Sequence, residues 1–503
     1  MGEMVTHAAF TETADAGEET KGLVPLCVDL DGTLIRTDLL WESLLLLVRQ
    51  NFWALFLLPL WALRGKAILK HEIARRVQLD VASLPYNGEL LEWIFEQRQL
   101  GRSTLLVTAS NEKLAREVSD YLGCFDEVLA STEEVNLKGR AKQAALTERF
   151  GRKQFDYAGN SRADVSVWRQ SQKAIVVNAS AKTAIAAQKV SPVARIFPRP
   201  GFSLRTWLRA ARVHQWVKNL LVFVPLFTSH RFAELQSVQA TAVLFCAFSL
   251  CASVIYVMND LLDLTSDRNH ATKSKRPFAS GALSIPQGIA LGIGMFGASV
   301  VLALFLPMQS RIVLGFYLVL TSLYSIRLKQ KLILDVLTLA ALYTLRIVAG
   351  AVSTGTKLSH WLVAFSLFFF LSLGICKRSS ELMNLLKANR TGASGRFYET
   401  GDLEPLNICG ICSGVLACLI LLLYSTSAQA TLMYSTPALL LLLCPLLFYW
   451  LSRVWILTFR GRLNEDPILF AVHDRTSYAV SLCVIAIVLA AEFLKLPINQ
   501  FLD

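Results

Sequence analysis

The chain has 503 residues, of which 53% are hydrophobic and 17% charged, with a formal net charge of +12. That length and apolar share exclude a single soluble domain. The positive charge does not point to nucleic acid, because Lys and Arg in a membrane protein mark the cytoplasmic side, and no nucleic-acid partner is expected.

In chain order, residues 1–21 are polar and acidic and read as disordered. They show no basic stretch followed by an apolar core, so no cleaved signal peptide is expected. The opening "MGEMVT" fits a myristoylation pattern, too short a match to carry weight. Residues 22–190 alternate short apolar runs ("LVPLCVDL", "TLLVTAS", "FDYAGN", "KAIVVNAS") with helical patterns such as "EKLAREVSDYLG". That alternation predicts an α/β, Rossmann-like domain with a parallel sheet covered by helices. Residues 39–65 form an apolar insertion, interrupted by Glu42, Arg49, Gln50 and Asn51. Its clean run is too short to span a bilayer. It is expected to rest on the membrane, to pack against the second domain, or to form a buried cap hairpin.

In this domain "CVDLDGTL" ends a strand with Asp29 and Asp31 on one face, followed by Gly32 and Thr33. Side chains two apart on a strand point the same way. One carboxylate can therefore attack phosphorus while the other protonates the leaving group. With Thr108 in "LLVTAS", Lys142 in "KGRAKQAAL" and Asn160 and Asp164 in "YAGNSRAD", the stretch 23–190 resembles the haloacid dehalogenase superfamily. The resemblance implies a phosphatase. Asp29 would be the nucleophile and Asp31 the acid/base. Thr108 and Lys142 would bind the phosphoryl group, with Mg2+ at Asp29, Asn160 and Asp164. The family usually has Asp where this chain has Asn160.

Residues 191–212 read as a linker broken by prolines, carrying an interfacial helix with Arg205, Arg209 and Arg212 interleaved with Leu204, Trp207 and Leu208. Beyond it, residues 213–503 hold nine apolar segments and predict an all-α polytopic bundle of nine transmembrane helices. Alternate connections (259–284, 327–331, 377–405 and 453–475) hold sixteen Lys and Arg, and the opposite ends hold four. The positive-inside rule then puts the N-terminal domain in the cytoplasm and the C-terminus outside. The C-x-x-C pair Cys409 and Cys412 sits in an apolar run with no second pair, so no zinc or redox site is expected.

The second segment ends in "YVMNDLLDLTSDRNHATKSKRPFASG". On one helix, Asn259, Asp260, Asp263, Asp267 and His270 would share an arc of roughly 100°. Clustered carboxylates repel unless a divalent cation joins them, and oxygen ligands suit Mg2+ completed by water and phosphates. Lys273, Lys275 and Arg276 follow and could grip the same phosphates. The expectation is a diphosphate site facing the cytoplasm.

This motif resembles the UbiA-type superfamily of intramembrane transferases over about 205–500. The closer likeness within it is to decaprenyl-phosphate phosphoribosyltransferases, through "RVHQWVKNLL" (Lys218, Asn219), "HATKSKRP", "YSIRLKQKLILD" (Lys329, Asp335), "CKRSSEL" (Lys377, Arg378) and "NEDPILFAVHDR" (Asp466). The resemblance implies transfer of 5-phosphoribosyl from phosphoribosyl pyrophosphate to a polyprenyl phosphate. Catalysis would rest on Asp260 and Asp263, and Mg2+ would sit at Asp260, Asp263 and Asp267. Substrate contacts would come from Lys218, Asn219, Asn259, His270, Lys273, Arg276, Lys329, Lys377 and Arg378. The fused phosphatase would then remove the 5-phosphate of the product. Where prenyltransferases carry a second D-x-x-x-D, Asp335 is followed four positions on by Leu339, which tilts the reading toward pentose transfer. An aromatic prenyltransferase and a transporter or lipid-binding scaffold with an inactive front domain are the alternatives. Homo-oligomerisation is left open.

Overall fold

The computed structural model describes residues 24–199, 201, 203–387, 397–463 and 466–495. The expected disorder of residues 1–21 lies outside the described residues, as does the C-terminal end whose side of the membrane was inferred. The chain divides into two compact units: Met1–Ala210 with Asp260–Ala290, and Ala211–Asn259 with Leu291–Asp503. The loop bearing the aspartate motif thus belongs to the first unit.

The first unit is built on a six-stranded parallel sheet in the order β3-β2-β1-β4-β5-β6. Its strands are β1 (Leu26–Val28), β2 (Thr104–Asn111), β3 (Glu127–Ser131), β4 (Asp156–Gly159), β5 (Ala174–Val177) and β6 (Val193–Phe197). Alternate residues of each central strand feed two separate cores. Leu26, Val28, Leu106, Ala158, Ile175 and Val177 pack on one face. Cys27, Leu105, Val107, Tyr157, Ala174 and Val176 pack on the other. Burial on both faces is why these runs are continuously apolar. The strand order reverses at β1, and the crevice beyond such a reversal is where ligands bind in open α/β sheets. The sheet takes in β6, paired with β5, where the sequence reading began the linker at 191. Alternation in "VARIF" was hidden by the flanking prolines. The helix expected at the membrane interface is short, Leu204–Ala210.

The apolar insertion at 39–65 forms α1 (Leu39–Gln50), a 3-10 turn (Phe52–Phe56) and α2 (Leu58–Leu63), and α3 (Lys66–Ala74) follows it. Leu47, Ala54, Trp61 and Ile73 make a small core between them, while Phe52, Trp53, Phe56 and Leu63 stay exposed.

Among the described residues, seven helices of the chain are long and apolar enough to cross a membrane, against the nine expected: Leu235–Leu262, Ile285–Leu304, Leu334–Ser353, His360–Lys387, Thr400–Ser425, Pro437–Phe459 and Arg475–Phe493. The segment 213–228 is a 3-10 stretch, Val213–Phe223, followed by a five-residue helix. Pro225 lies at the start of that helix, with no N–H to continue the ladder. The segment Met308–Ile326 is a 19-residue helix, but Arg311 and its Ser and Tyr residues dilute its apolar character.

Candidate functional site

In the first unit the chain turns sharply after β1. Asp29 N donates to Ala158 O of β4 at 2.9 Å, and Gly32 adopts φ +72°. A Cβ there would stand 2.0 Å from Asn160 Nδ2, so glycine is what lets Asn160 lie across the loop. Asp31 accepts from Leu39 N at 2.8 Å and from Ser110 Oγ at 2.6 Å. Lys142 donates to Asp29 Oδ1 at 2.7 Å and to the Tyr157 hydroxyl at 2.8 Å. That hydroxyl in turn donates to Asp164 Oδ1 at 3.1 Å. Thr108, fully buried, accepts from Ser110 N at 3.0 Å. The residues expected from the four motifs therefore meet at the ends of β1, β2 and β4.

Burial pushes Asp29 up to about 6, opposed by the charge of Lys142. Burial, with the Asp38 charge beside it, pushes Asp31 up to about 7. A carboxyl in that range keeps a proton near neutrality and can give it to a leaving oxygen, the role assigned to Asp31. Asp164 is engaged more heavily than expected: its Oδ2 accepts from Asn160 N, Ser161 N and Ser161 Oγ. A cation bound directly to Asp164 would share oxygens that also hold this turn. Tyr157 was missed by sequence reasoning. Its signal was its position two residues before Gly159 on β4, on the face that meets Lys142.

Beside this constellation lies a cavity of about 250 Å³. Asp31, Arg36, Trp41 and Asn160 line it, together with the turn Ser284–Pro286.

The acidic loop departs from the single helical face expected of it. The helix ends at Leu262, Asp263 leaves helical geometry at φ −103°, and a separate short helix runs Leu264–Arg268. A straight helix would stack three like charges at neighbouring positions. The break instead brings Asp260 and Asp267 onto one cation, accepting from Arg276 Nη1 at 3.1 and 2.6 Å. Both carboxylates are 3% exposed. Asp263 goes elsewhere, 3.7 Å from Arg49 Nη1. Arg268 forms a two-pronged pair with Glu42, which also accepts from Thr37. Asn259 donates to Ser325 at 3.0 Å. His270 turns to Thr272, and His270 and Lys273 are exposed.

In the second unit, Lys218 and Lys377 converge on Asp466 Oδ2 at 2.8 and 3.0 Å. Burial works against ionisation of Asp466, but the two lysines outweigh it and hold the carboxyl well below its usual range. Lys329 is half-buried in a 3-10 turn. Two further expected substrate-binding residues also bond within the chain. Arg378, 2% exposed, donates to Asp335, Glu381 and Tyr324. Asn219 donates to Ser249 and accepts from Arg346. Arg346, missed in the sequence, is buried in the helix Leu334–Ser353 against the rings of Phe248, Tyr317 and Tyr343. A lone charge inside an apolar run was its available signal.

Among the described residues no three His, Cys, Asp or Glu side chains stand together as a complete metal cage. In the acidic loop two buried carboxylates converge on a single positive charge with oxygen donors only. That fits a hard cation taking its other ligands from water and phosphate. In the front site Asp29 and Asn160 offer a weaker version of the same donor set.

The chain matches the UbiA prenyltransferase family over residues 222–471. It is 37% identical over 462 residues to the uncharacterized protein y4nM of Sinorhizobium fredii, covering 91% of this chain and 89% of that one. It is 34% identical over 195 residues to a decaprenyl-phosphate phosphoribosyltransferase of Mycolicibacterium smegmatis, covering 38% and 60%. Among solved structures, a UbiA homolog from Archaeoglobus fulgidus bound to GPP and Mg2+ aligns with a TM-score of 0.42 at 18% identity, covering 57% of this chain and all of that one. A phosphoserine phosphatase in apo form aligns with a TM-score of 0.26 at 15% identity, covering 35% and 94%. With its seven apolar helices, the chain is a multi-pass membrane protein and belongs to the UbiA prenyltransferase family.

Proposed function

We propose that the chain is a bifunctional membrane enzyme. The UbiA part transfers 5-phosphoribosyl from phosphoribosyl pyrophosphate to a polyprenyl phosphate, and the front domain removes the 5-phosphate of the product. The observation that carries the transferase reading is the convergence of Asp260 and Asp267 on Arg276 at the end of a membrane helix. The similarity to decaprenyl-phosphate phosphoribosyltransferases supports the donor and acceptor classes. The burial of Asp335 with Arg378 and Tyr398 further supports pentose over prenyl transfer. It removes that carboxylate from a second metal-binding motif.

Asp260 and Asp267 would hold Mg2+, with Asp263 completing the acidic set. When bound, Mg2+ supplies positive charge to the diphosphate that departs. Arg276 exchanges its carboxylate partners for that diphosphate, and Lys273 adds a second cation to it. Lys218 and Lys377 are assigned to an anionic group of the substrates, taking the place Asp466 holds. In the front domain Asp29 attacks the phosphate, Lys142 and Thr108 hold its oxygens, and Asp31 passes a proton to the sugar oxygen. Tethering the two activities raises the local concentration of the intermediate. In a bacterial-type inner membrane, the excess of Lys and Arg on one set of connections supports both sites facing the cytoplasm.

The test incubates membranes containing the protein with labelled phosphoribosyl pyrophosphate, polyprenyl phosphate and Mg2+. The expected result is lipid-soluble label that disappears with Asp260→Ala. Label transferred from a prenyl diphosphate to an aromatic acceptor instead would overturn the pentose reading. Phosphate release that persists with Asp29→Asn would overturn the phosphatase reading.

A further inference from the structure

The cavity beside Asp31 is larger than a phosphate group needs, and two of its lining residues have no part in the chemistry assigned above. Arg36 is exposed at its edge, and among the described residues no hydrogen bond or ion pair of its side chain is found. Trp41, on the first turn of α1, lines the same space. The opposite contribution comes from Ser284, Ile285 and Pro286. Ile285 and Pro286 open the helix Ile285–Leu304, one of the seven able to cross a membrane. A cavity that shares residues with the first turn of such a helix is within reach of a lipid headgroup.

This wall is fixed in place inside the first unit. Gly281, at φ +72°, packs so closely that an added Cβ would stand 2.7 Å from Arg36 Cβ. Arg268 holds the same loop through Ala279 O at 3.0 Å and grips Glu42, the residue next to Trp41 on α1. The cavity is therefore a built space, and its charge is divided. The carboxylates stand at the end where phosphate would be cleaved, and a cation with no side-chain partner among the described residues stands at the edge.

We propose that Arg36 and Trp41 form a specificity subsite for the part of the substrate beyond the departing phosphate. Arg36 binds a second anion, the phosphodiester that joins a sugar phosphate to its lipid, and Trp41 packs against the sugar ring. This rests on the phosphatase reading and names its substrate class: a sugar phosphate that carries a further phosphodiester. Guanidinium suits that anion because its planar fork meets two phosphate oxygens at once, and an aromatic face suits the apolar side of a pentose.

The experiment uses the full chain in detergent and a ribose 5-phosphate bearing a short prenyl phosphodiester at C1. Ribose 5-phosphate and p-nitrophenyl phosphate serve as controls. Arg36→Gln is expected to raise KM for the diester compound about tenfold, leave its kcat unchanged, and leave both controls unaffected. Trp41→Phe should retain activity, whereas Trp41→Ala should raise KM for both sugar substrates and spare p-nitrophenyl phosphate. Equal losses on all three compounds with Arg36→Gln, or no change on the diester, would overturn the subsite. Equilibrium binding of the diester to the non-hydrolysing Asp29→Asn protein separates the two claims. Binding that weakens at least fivefold with Arg36→Gln sustains the subsite even if the wild type releases no phosphate, and binding indifferent to Arg36 rejects it.

Discussion

Arg268 grips Glu42 through both terminal nitrogens, Nη2 to Oε1 at 2.6 Å and Nη1 to Oε2 at 3.2 Å, with both side chains almost fully buried. Arg268 directly follows Asp267, so the pair fixes where that carboxylate stands. Removing one partner of a buried pair leaves an uncompensated charge and costs about 3–5 kcal/mol. Glu42→Gln should therefore lower thermal stability substantially. Glu42→Leu with Arg268→Leu together should lose less than the sum of the single changes. Thermal unfolding of the four proteins in detergent measures the coupling, and strict additivity would show that the pair does not act as a unit. Arg268→Lys should fail to rescue, because an ammonium cannot make the fork.

Asp260 and Asp267 share one guanidinium nitrogen, so neutralising Arg276 leaves two buried carboxylates facing each other. Arg276→Gln should increase the Mg2+ dependence of stability. The melting temperature should rise more on adding Mg2+ than it does for the wild type, while transfer activity falls at least tenfold. A Mg2+ response equal to that of the wild type would place the cation elsewhere.

Asp31 is a carboxyl whose folded value is raised, to about 7 from an ordinary 3.8. Its ionisation is therefore harder in the folded state. No penalty exists where both states are protonated, and the penalty grows as pH rises from about 4 to 7. Asp31→Asn should thus be more stable than the wild type at pH 8, by on the order of 1–3 kcal/mol after allowing for partial solvent access. The difference should shrink toward pH 4. The amide can still accept from Leu39 N and meet Ser110. Melting curves across that range are the measurement, and a gain independent of pH would contradict the raised value.

Asp466 pairs with both Lys218 and Lys377 through one carboxylate oxygen. Asp466→Asn should leave two nearby ammonium groups in want of an anion. Inorganic phosphate or pyrophosphate in the buffer should then restore several degrees of melting temperature to the variant and little to the wild type. No differential response would remove these lysines from the anion-binding role.

Much of this was legible in residue order. The D-x-D turn and the Asn160–Asp164 segment reach one place because they follow neighbouring strands, which local alternation predicts; Thr108 joins them from β2, and Lys142 from the helix Arg140–Phe150. The apolar helices follow from composition alone. The segment 213–228 is not among the seven for a local reason too: its run is apolar enough, but it is a 3-10 stretch followed by a five-residue helix. The aspartate helix is different. Its one-sided spacing assumes an unbroken helix, and the chain breaks at Asp263 so that two carboxylates meet Arg276.

By itself, then, the order of residues determined the α/β front domain, the apolar helices and the identity of the chemical groups, because periodicity and hydropathy act over a few turns or strands. Tertiary structure alone decided which of those groups are committed. Arg378 pairs with Asp335, Asn219 with Arg346, and Glu42 with an arginine 226 positions away. A buried charge takes whichever partner the fold delivers to it, and no local pattern encodes a partner that distant.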